Sequence, residues 1–552
     1  MKKLYAILFF CVLYFAGAFA VPHKFWILLK DKKNSRFSIQ DPSAFLSQKA
    51  IDRRTRQHLV VNTDDIPVDS AYVAQIAQKG ALVLHRSKWF NAVTVQCDSN
   101  TYNQILSLPF VKGGKRVKRL MGATGVSKFS LESASARSLL RVANDSGYYG
   151  EAYSQIHLLN GESLHKRSFR GEGMTIAVLD DGFFHADTLA AFDSLWANHQ
   201  VLGTRDFVKP GNNVFKEDDH GMQVLSTMGG NKPGVLVGTA PKAQYWLVRT
   251  EDEPTENIIE ESNWAAGAEF ADSVGADIIT TSLGYTTFDS FDGINPNPYD
   301  HTYSSMNGHT TLVSIAANKA ASRGILVVAA AGNEGGTSWH YICAPGDADS
   351  VLTIGGVEPS GVHAVISSHG PSYDKRIKPD VCAQAVYCAM ESNDGIGVVH
   401  NNGTSYAAPV TAGLAACLWQ ANPGATNMQI LRAIQKCSSK SANPDSADLG
   451  YGIPDFNIAV VSQLETLNGP RRFVKIYPNP SSNNLYIDLV SDSVEDLQIS
   501  IFDLTGRKVF SRNENIGIGH LIIPLSTALR PGIYLMQVSD RDRSILQKIV
   551  VR

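Results

Sequence analysis

The chain has 552 residues, with 50 basic and 52 acidic side chains and a formal net charge of -2. So balanced a charge gives no overall field that would attract nucleic acid, and we expect no nucleic-acid partner. A hydrophobic content of 44% and a charged content of 18% are typical of a soluble globular protein, and the length predicts three or four domains at about 150 residues each.

The first twenty residues have the pattern of a secretory signal peptide. Two lysines precede an apolar run from Leu4 to Phe19, and small residues surround a cleavage position after Ala20. The run is short for a transmembrane helix, so a membrane anchor is the weaker alternative. Residues 1–20 therefore predict export, and we expect no integral membrane span.

Residues 21–119 are predicted to form a small α+β module. Its size and its position between the signal peptide and the main domain are typical of a propeptide. The predicted elements are a strand over Lys24–Asp31, a helix capped by Asp41-Pro42, a helix over Ser70–Lys79, strand-like alternation over Leu82–Val95, and a helix over Asn100–Leu108.

A basic cluster closes this module, and a linker rich in small and polar residues follows over 120–149. The cluster comprises Lys112, Lys115, Arg116, Lys118 and Arg119. Two interpretations remain open, a solvated edge and a processing site. Nucleic-acid binding is disfavoured because no aromatic residues interleave the charges.

Residues 150–463 alternate apolar strands with helices, which predicts an α/β domain with a parallel sheet covered by helices on both faces. In such sheets, functional sites form beyond the carboxyl ends of the strands. The predicted strands are Met174–Leu179, Tyr245–Val248, Asp277–Leu283, Ile325–Ala331 and Val351–Ile354, and the predicted helices include Glu256–Val274 and Thr310–Ser322.

Polar residues follow several of these strands. Asp180 ends one strand, Ser282 ends another, and Asn333 follows a third after a glycine, while His220 precedes an apolar segment. Taken singly, each has an ordinary explanation as a turn or loop residue. Together with a suitable serine they would supply a nucleophile, a general base, an orienting carboxylate and an oxyanion donor.

The suitable serine is Ser405, which follows a glycine turn and begins an unusually apolar segment. This segment predicts a helix buried on almost every side. Pro409 is tolerated best near a helix start, so Ser405 is placed at or just inside the amino terminus, where it feels the positive end of the helix dipole. A simple helix cap is the ordinary alternative.

The order Asp180, His220, Ser405 with its flanking residues resembles that of the subtilisin-like serine proteases, the subtilases. The resemblance covers about residues 150 to 463. The matching stretches are Val178-Leu179-Asp180-Asp181-Gly182, Asp219-His220-Gly221, Gly238-Thr239-Ala240-Pro241, Thr281-Ser282-Leu283-Gly284, Ala330-Ala331-Gly332-Asn333-Glu334-Gly335, Ser368-His369-Gly370-Pro371, Lys378-Pro379-Asp380 and Asn402-Gly403-Thr404-Ser405-Tyr406-Ala407-Ala408-Pro409.

The resemblance implies a secreted serine endopeptidase that cleaves polypeptides through an acyl-enzyme intermediate. Ser405 would be the nucleophile, His220 the general base, and Asp180 the residue that orients His220. Asn333 would stabilise the oxyanion. Ser282-Leu283-Gly284 resembles the edge strand that pairs with substrate backbone.

The resemblance also gives the module 21–119 the role of an intramolecular inhibitor, so the enzyme would be made as a zymogen. The alternative function is a catalytically inactive subtilase fold used for surface binding or adhesion. A non-protease α/β hydrolase would require a G-x-S-x-G motif, which is not present around Ser405.

Two departures from the family pattern stand close to these residues. Met222-Gln223 follows His220-Gly221 where the family commonly has threonine and a second histidine, which affects packing more than chemistry. Asp181 replaces a small hydroxyl residue and makes the choice between Asp180 and Asp181 ambiguous. We choose Asp180 from its register with Gly182.

After a linker over 464–472, residues 473–552 turn all-β and predict a small antiparallel sandwich. The stretches that carry a second resemblance are Tyr477-Pro478-Asn479-Pro480, Leu504-Thr505-Gly506-Arg507, Pro531-Gly532-Ile533-Tyr534 and Lys548-Ile549-Val550-Val551-Arg552. They resemble the C-terminal sorting domain of type IX secretion. This implies a partner in the secretion machinery and a secreted or cell-surface location, reached through the periplasm and outer membrane.

The proposed chemistry requires no cofactor. A structural calcium ion is common in the family, but the sequence identifies no site, and Asp187, Asp218 and Asp219 are only weak candidates. The six cysteines outside the signal peptide allow many pairings, and small buried thiols are an equally good interpretation.

Overall fold

The computed structural model describes residues 22–119, 146–291, 294–459 and, in the carboxyl-terminal region, 473–477, 479–481, 484–490, 495–516, 519–525, 529–539 and 544–552. The predicted signal peptide, most of the predicted linker 120–149 and the linker 464–472 lie outside these residues. Among the described helices, none has both the length and the apolar content needed to cross a membrane.

The amino-terminal module is a four-stranded antiparallel sheet with three helices, which agrees with the predicted α+β class, although the strand Val111–Arg119 was not predicted. Its helices begin at Ser47, Asp69 and Asp98, whose side chains each accept a backbone N–H of the first turn. In spatial order the strands are Leu82–Ser87, Ala92–Cys97, His23–Leu29 and Val111–Arg119, and the helices are Gln48–Arg56, Ser70–Gln78 and Ser99–Leu106.

The helix expected at Asp41-Pro42 begins later than predicted. Only a single 3-10 turn forms over Pro42–Ala44, and Asp41 makes no capping bond because its carboxylate accepts from the Ser43 hydroxyl at 2.6 Å. The α-helix starts after Ser47, whose hydroxyl accepts from Ala50 N. The hydrogen bond between Ser43 and Asp41 competes with helix capping by Asp41, and the α-helix therefore begins after Ser47.

The basic cluster lies in the edge strand Val111–Arg119, which contacts the main domain. Lys118 is buried, and its Nζ donates to Asp252 Oδ2 and Thr255 Oγ1, both at 2.7 Å. The Arg116 guanidinium lies 4.5 Å from the ring centre of Phe291. At these two residues the cluster is an interface rather than a solvated edge.

The main domain is built on a seven-stranded sheet in which all the neighbouring strands pair in parallel. This confirms the predicted α/β class. Two of its strands, Val201–Asp206 and Val381–Gln384, were not predicted. The spatial order is Val381–Gln384, Val351–Val357, Leu326–Ala330, Ile278–Thr281, Thr175–Asp180, Gln244–Arg249 and Val201–Asp206.

Helices cover both faces of this sheet because its strands are apolar on both sides. Along Thr175–Asp180, Ile176 and Val178 join one buried cluster, and Ala177 and Leu179 join another on the opposite face. The main-domain helices are Ser146–Tyr149, Tyr153–His157, Glu162–Lys166, Asp193–Ala197, His220–Gly229, Ile259–Val274, Leu312–Ser322, Thr404–Ala421 and Asn427–Lys436, and two short hairpins pair Asn231–Lys232 with Leu236–Val237 and Cys388–Glu391 with Val398–Asn401.

The strand order places a crevice next to the first strand. After Thr175–Asp180 the chain builds two strands on one side, and then crosses to Ile278–Thr281 on the other side. Loops leave the carboxyl ends of these two neighbouring strands in opposite directions, which is where open α/β sheets bind ligands. Asp180 and Ser282 stand at this point.

The carboxyl-terminal region forms two antiparallel sheets, as predicted, whose side chains share one core that includes Ile487, Ile501, Ile523 and Met536. One sheet contains Phe473–Tyr477, Asn484–Val490 and Gly519–Pro524, and the other contains Lys508–Ile516, Glu495–Phe502, Gly532–Ser539 and Ser544–Val551.

The six described cysteines are free thiols, and all are buried. Burial raises the pKa of the Cys382 thiol, and Cys388 and Cys417 behave in the same way. They act as small packing residues, so the question of pairing is resolved in favour of buried thiols.

Candidate active site

Asp180 and His220 are in direct contact at the crevice. The Nδ1 atom of His220 lies 2.6 Å from Asp180 Oδ1, and both side chains are buried. Asp180 is the last residue of its strand, and His220 is the first residue of the helix His220–Gly229. A buried carboxylate in this position orients the imidazole ring and stabilises its protonated form.

Two glycines allow this close approach. A Cβ atom on Gly221 would lie 2.3 Å from Gly182 O and 2.8 Å from Asp180 Cβ. A Cβ atom on Gly182 would lie 2.5 Å from the backbone of Asp218. The histidine loop can therefore lie directly against the end of the strand only because both positions lack a side chain.

Asp181, the alternative carboxylate, has a different role in the structure. Its Oδ1 accepts the backbone N–H of Gly221 at 3.1 Å, so it holds the start of the His220–Gly229 helix. Burial, together with the nearby charge of Asp180, raises the pKa of Asp181 well above its usual range. The His220 contact therefore belongs to Asp180, whereas Asp181 contacts the backbone of the next residue.

Ser405 lies in the first turn of the helix Thr404–Ala421, which is buried along nearly its whole length. Pro409 has no backbone N–H, so the Ser405 carbonyl loses its intrahelical partner. The Ser282 hydroxyl donates to that carbonyl at 2.7 Å, and the Ser405 hydroxyl donates to Ser282 O at 3.2 Å. The helix start is thereby fixed to the end of the strand Ile278–Thr281.

Asn333 is exposed and held by its carbonyl oxygen. Its Oδ1 accepts from both the backbone N–H and the hydroxyl of Thr404, each at 2.9 Å. Gly332 before it has φ +108°, where a Cβ would lie 2.4 Å from Cys343 Sγ. Since Oδ1 already accepts two hydrogen bonds from Thr404, the amide Nδ2 is the group of Asn333 that can donate a hydrogen bond beside Ser405.

Gln223, which stands where the subtilisin-like family commonly has a second histidine, takes part in a hydrogen-bond network behind the site. Gln223 Oε1 accepts from Tyr406 Oη at 2.8 Å and from Asn401 Nδ2 at 3.3 Å. The Tyr406 ring centre lies 5.9 Å from that of His220. Gln223 therefore positions the residue that follows Ser405, which fits a packing role.

A cavity of about 230 Å³ adjoins Ser405 and Asn333. Ser282, Leu283 and Gly284 contribute to its wall, directly after the strand that ends at Thr281. The structure assigns no strand to these three residues themselves. The remaining lining residues are Glu251, Glu256, Thr286, Thr287, Ala330, Gly332, Glu334, Cys343 and Thr404.

Three glutamates in this lining were missed by sequence reasoning. Glu334 directly follows Asn333 and could have been noticed, whereas Glu251 and Glu256 are distant in sequence and carry no motif. Tyr285 Oη donates to Glu251 Oε2 at 2.8 Å. Burial and this glutamate raise the pKa of Tyr285 well above its usual range, so the phenol stays a donor.

The weak calcium candidates are not brought together. Asp218 lies 3.7 Å from Arg249, and Asp219 accepts from the side chains of Asn393 and Gln223. Among the described residues, three clusters have a composition that could hold a metal ion, and none contains Asp187, Asp218 or Asp219. The clusters are Asp180 with Asp181 and His220, Glu251 with Glu256 and Glu260, and His363 with His369 and Asp448.

Comparison with known protein families divides the chain into three matched parts. Residues 171–453 match the subtilase family, a peptidase S8 family. Residues 24–130 match the peptidase S8 propeptide domain of Bacteroidota, and residues 475–552 match the secretion system C-terminal sorting domain.

Curated relatives support the same assignment. Subtilisin BL of Lederbergia lenta is 30% identical over 277 residues, which cover 50% of this chain and 87% of that protein. A thermostable alkaline protease of Halalkalibacterium halodurans is 29% identical over 291 residues, covering 52% of this chain and 68% of that protein. Subtilisin E of Bacillus subtilis is 27% identical over 393 residues, which cover 70% of this chain and 85% of that protein.

These matches join a protease domain, a propeptide domain and a sorting domain in one chain. The sorting domain directs export to the cell surface or the medium, and the propeptide domain is that of a protease made as a zymogen. The chain belongs to the subtilase family of serine endopeptidases.

Proposed function

We propose that the enzyme hydrolyses peptide bonds through a triad of Asp180, His220 and Ser405, with an acyl-enzyme intermediate on Ser405. The observation that carries this proposal is the buried 2.6 Å contact between Asp180 and His220. The helix His220–Gly229 packs against the helix Thr404–Ala421, so the histidine and the serine lie on neighbouring elements. Buried pairs of this kind are built at functional sites.

In the first half of the reaction, the Ser405 oxygen attacks the carbonyl carbon of the substrate, and its proton passes to Nε2 of His220. Asp180 stabilises the resulting imidazolium and keeps its own charge. Collapse of the tetrahedral intermediate breaks the C–N bond, and His220 gives the proton to the leaving amine. Water then repeats the sequence on the ester, releasing the carboxylic acid and restoring Ser405.

The negative charge on the tetrahedral oxygen requires donors that are already in place. Asn333 Nδ2 and the backbone N–H of Ser405 at the helix start are the proposed pair. The two hydrogen bonds from Thr404 to Asn333 Oδ1 favour this role, because they fix the orientation of the amide. Such preorganised donors stabilise the transition state more than the substrate.

Substrate backbone is proposed to pair with Ser282-Leu283-Gly284 as an added strand. The residue that supplies the scissile carbonyl would then place its side chain in the adjoining cavity. Glu251, Glu256 and Glu334 give this cavity an acidic lining. We therefore assign substrates with arginine or lysine on the amino side of the scissile bond as the preferred class.

The amino-terminal module is proposed to act as an intramolecular inhibitor. It contacts the peptidase domain through the helix Ile259–Val274, which carries Asn263, Glu269 and Asp272. Its edge strand Val111–Arg119 contacts Asp252 and Thr255, next to the cavity residues Glu251 and Glu256. A module held there occludes the approach to the site until it is cut and released.

The proposal is tested by Ser405→Ala, with Ser360→Ala as the matched control at an exposed serine of the same domain. Secreted protein is incubated with a fluorophosphonate probe and with casein. We expect the control to label and cleave like wild type, whereas Ser405→Ala abolishes labelling and lowers turnover by about 10⁶-fold.

Two results would contradict the proposal in different ways. Labelling that persists in Ser405→Ala would place the nucleophile at another residue. A wild-type protein that is processed and folded but neither labels nor cleaves would instead favour a surface binding protein on an inactive subtilase fold.

A further inference from the structure

Two histidines and an aspartate meet on the main domain outside the proposed triad and the cavity. One ring nitrogen each from His363 and His369 and one carboxylate oxygen of Asp448 lie within 4.8 Å of one another. His369 Nδ1 is 2.6 Å from Asp448 Oδ1, and the ring centres of the two histidines are 4.8 Å apart. Rotation of the Asp448 carboxylate, whose side chain is 40% exposed, would open this hydrogen bond and let a single ion bind all three groups.

Ordinary packing does not account for this cluster. Nε2 of His363 is buried, yet it has no hydrogen-bond partner among the described residues. A buried polar atom without a partner destabilises the fold, and a bound cation beside a carboxylate would offset that cost. The side chain of Asp448 remains 40% exposed and that of His369 20%, so an ion can reach the cluster from solvent.

The backbone holds all three residues in place. His363 forms a bridge with Val357 at the end of a central strand, and His369 N donates to His340 O at 2.9 Å. Asp448 N donates to the Asp445 carboxylate at 3.2 Å. Ligands fixed in this way lose little conformational entropy when an ion binds.

We propose that His363, His369 and Asp448 form a site for a divalent transition-metal ion, with zinc as the expected occupant and water completing the coordination. Imidazole nitrogen with one carboxylate suits zinc and its neighbours in the first transition row, whereas calcium and magnesium prefer oxygen ligands. The site is independent of the proteolytic mechanism, because none of its ligands belongs to the triad.

An ion at this site would stabilise the loop that carries Asn333. Ser368, the neighbour of His369, donates its backbone N–H to Gly332 O at 3.0 Å. Its hydroxyl accepts from Glu334 N, also at 3.0 Å. Fixing His369 therefore restrains the residues on both sides of Asn333, and we expect metal binding to raise the melting temperature by several degrees.

The test uses the full chain with Ser405→Ala in every arm, which prevents self-cleavage, purified without a polyhistidine tag and treated with a chelator. Zinc binding is measured by calorimetry, and cobalt is used as a spectroscopic substitute. We expect one ion per chain, visible cobalt absorption typical of nitrogen and oxygen ligands, and no response to calcium or magnesium at the same concentration.

Four variants identify the ligands. His363→Ala and the nearly isosteric Asp448→Asn should each weaken zinc binding by at least tenfold and remove the thermal shift, with near-ultraviolet circular dichroism used to check folding. His309→Ala is the control, because His309 forms an exposed pair with Asp349 at 3.2 Å without a third ligand. His220→Ala removes the other histidine-containing cluster and should leave binding intact.

Each contrary result would overturn the assignment. Binding that survives in folded Asp448→Asn and His363→Ala, binding lost in His220→Ala, or a wild-type chain that takes up no zinc would do so. A preference for calcium would also contradict the proposed ligand chemistry. None of these outcomes depends on whether the enzyme cleaves casein.

Discussion

Two buried polar clusters on the peptidase domain differ in how their charges are matched. In the active-site cluster, Asp180 and Asp181 lie next to each other, and His220 contacts the carboxylate of Asp180. The docking face consists of Asn263, Glu269 and Asp272 on the helix Ile259–Val274. There the single carboxylate of Asp272 accepts hydrogen bonds from Arg53, Arg54 and Lys88 of the propeptide domain.

This difference separates groups that do chemistry from groups that hold two domains together. At the docking face burial by itself would raise the pKa of Asp272, but Lys88, Arg54 and Arg53 lower it. In the active-site cluster burial and a like charge raise the pKa of Asp181. The charge of Asp272 is thus compensated by nearby cations, whereas Asp181 lies beside a second carboxylate.

Among the substitutions that compare these two clusters, Asp180→Asn is expected to have the largest effect. An asparagine leaves the size of the side chain unchanged but removes the charge that stabilises protonated His220. We expect kcat for peptide hydrolysis to fall by about 10⁴-fold. The measurement is steady-state cleavage of a chromogenic peptide by the processed enzyme.

Asp181→Asn is the matched control for this substitution. Asparagine has the size of Asp181, its amide oxygen can still accept from Gly221 N, and the substitution leaves the contact between Asp180 and the His220 ring in place. We expect kcat for peptide hydrolysis to fall by less than tenfold. If Asp181→Asn were the more damaging variant, the assignment of the triad carboxylate would have to be exchanged.

Asp272→Asn should weaken the docking of the propeptide domain on the docking face. Removing its charge leaves Arg53 and Lys88 buried without their carboxylate and leaves Arg54 with Asp65 alone, at a cost of about 3–5 kcal/mol. In the full chain carrying Ser405→Ala, we expect hydrogen-exchange protection of the helix Gln48–Arg56 to fall by about two to three orders of magnitude.

The control is Asp64→Asn, which breaks a half-exposed pair with Lys319 at the same interface. Exposed pairs contribute about 0–1 kcal/mol, so protection should change by less than tenfold. Equal effects of the two substitutions would show that burial of the charges does not decide how strongly the domains dock.

The sequence predicted the active-site cluster better than the docking face, and the reason is physical. Asp180, Ser282 and Asn333 follow apolar strands, and the carboxyl ends of parallel strands meet at one edge. Their proximity could thus be inferred from strand order alone. What could not be inferred was the orientation of Asn333, since it depends on two hydrogen bonds from Thr404, 71 residues away.

The docking face lacks any comparable signal. Arg53 and Arg54 lie in the helix Gln48–Arg56, but their partner Asp272 lies 219 residues from Arg53 within another helix. Glu251 was missed at the cavity for the same reason. Pairing between distant charges requires the tertiary fold, and neither spacing nor periodicity encodes it.

A smaller effect is expected at the cavity beside the active-site cluster. Replacing both Glu256 and Glu334 by glutamine removes two of its charges while retaining their size. Charge-assisted contacts contribute about 1.5–3 kcal/mol, so the preference in kcat/KM for arginine over leucine at the cleaved bond should fall by about 10- to 100-fold.

The control is Glu358→Gln at an exposed position outside the cavity. It should leave the arginine preference unchanged. If the wild-type enzyme cleaves leucine and arginine substrates equally, the acidic lining does not select substrates, although the triad would remain untouched by that result.

The smallest effect concerns the pH dependence of the docking face. His85 is buried against Asn263 at 2.9 Å, and burial lowers its pKa from 6.5 to about 4. The docked state therefore resists protonation of His85, so docking is strongest above pH 6.5 and weakens as pH falls. At pH 5.5 this group alone weakens docking by about tenfold relative to pH 8.

Glu269 has the opposite effect on the pH dependence of docking. Burial raises its pKa from 4.5 to about 6, although the charge of Lys88 opposes that shift. The docked state binds this proton more readily, so docking strengthens as pH falls through 6, by about fourfold at pH 5.5. The two groups together leave a net weakening of about threefold between pH 8 and pH 5.5.

His85→Gln separates these two contributions, because glutamine can still bond to Asn263 but cannot be protonated. Protection factors of the helix Gln48–Arg56, corrected for intrinsic exchange, should decrease by about threefold on acidification in the chain carrying Ser405→Ala. With His85→Gln added they should instead increase by about fourfold, and His58→Gln at an exposed position should behave like the parent. An unchanged response in His85→Gln would assign the pH dependence to other groups of the interface.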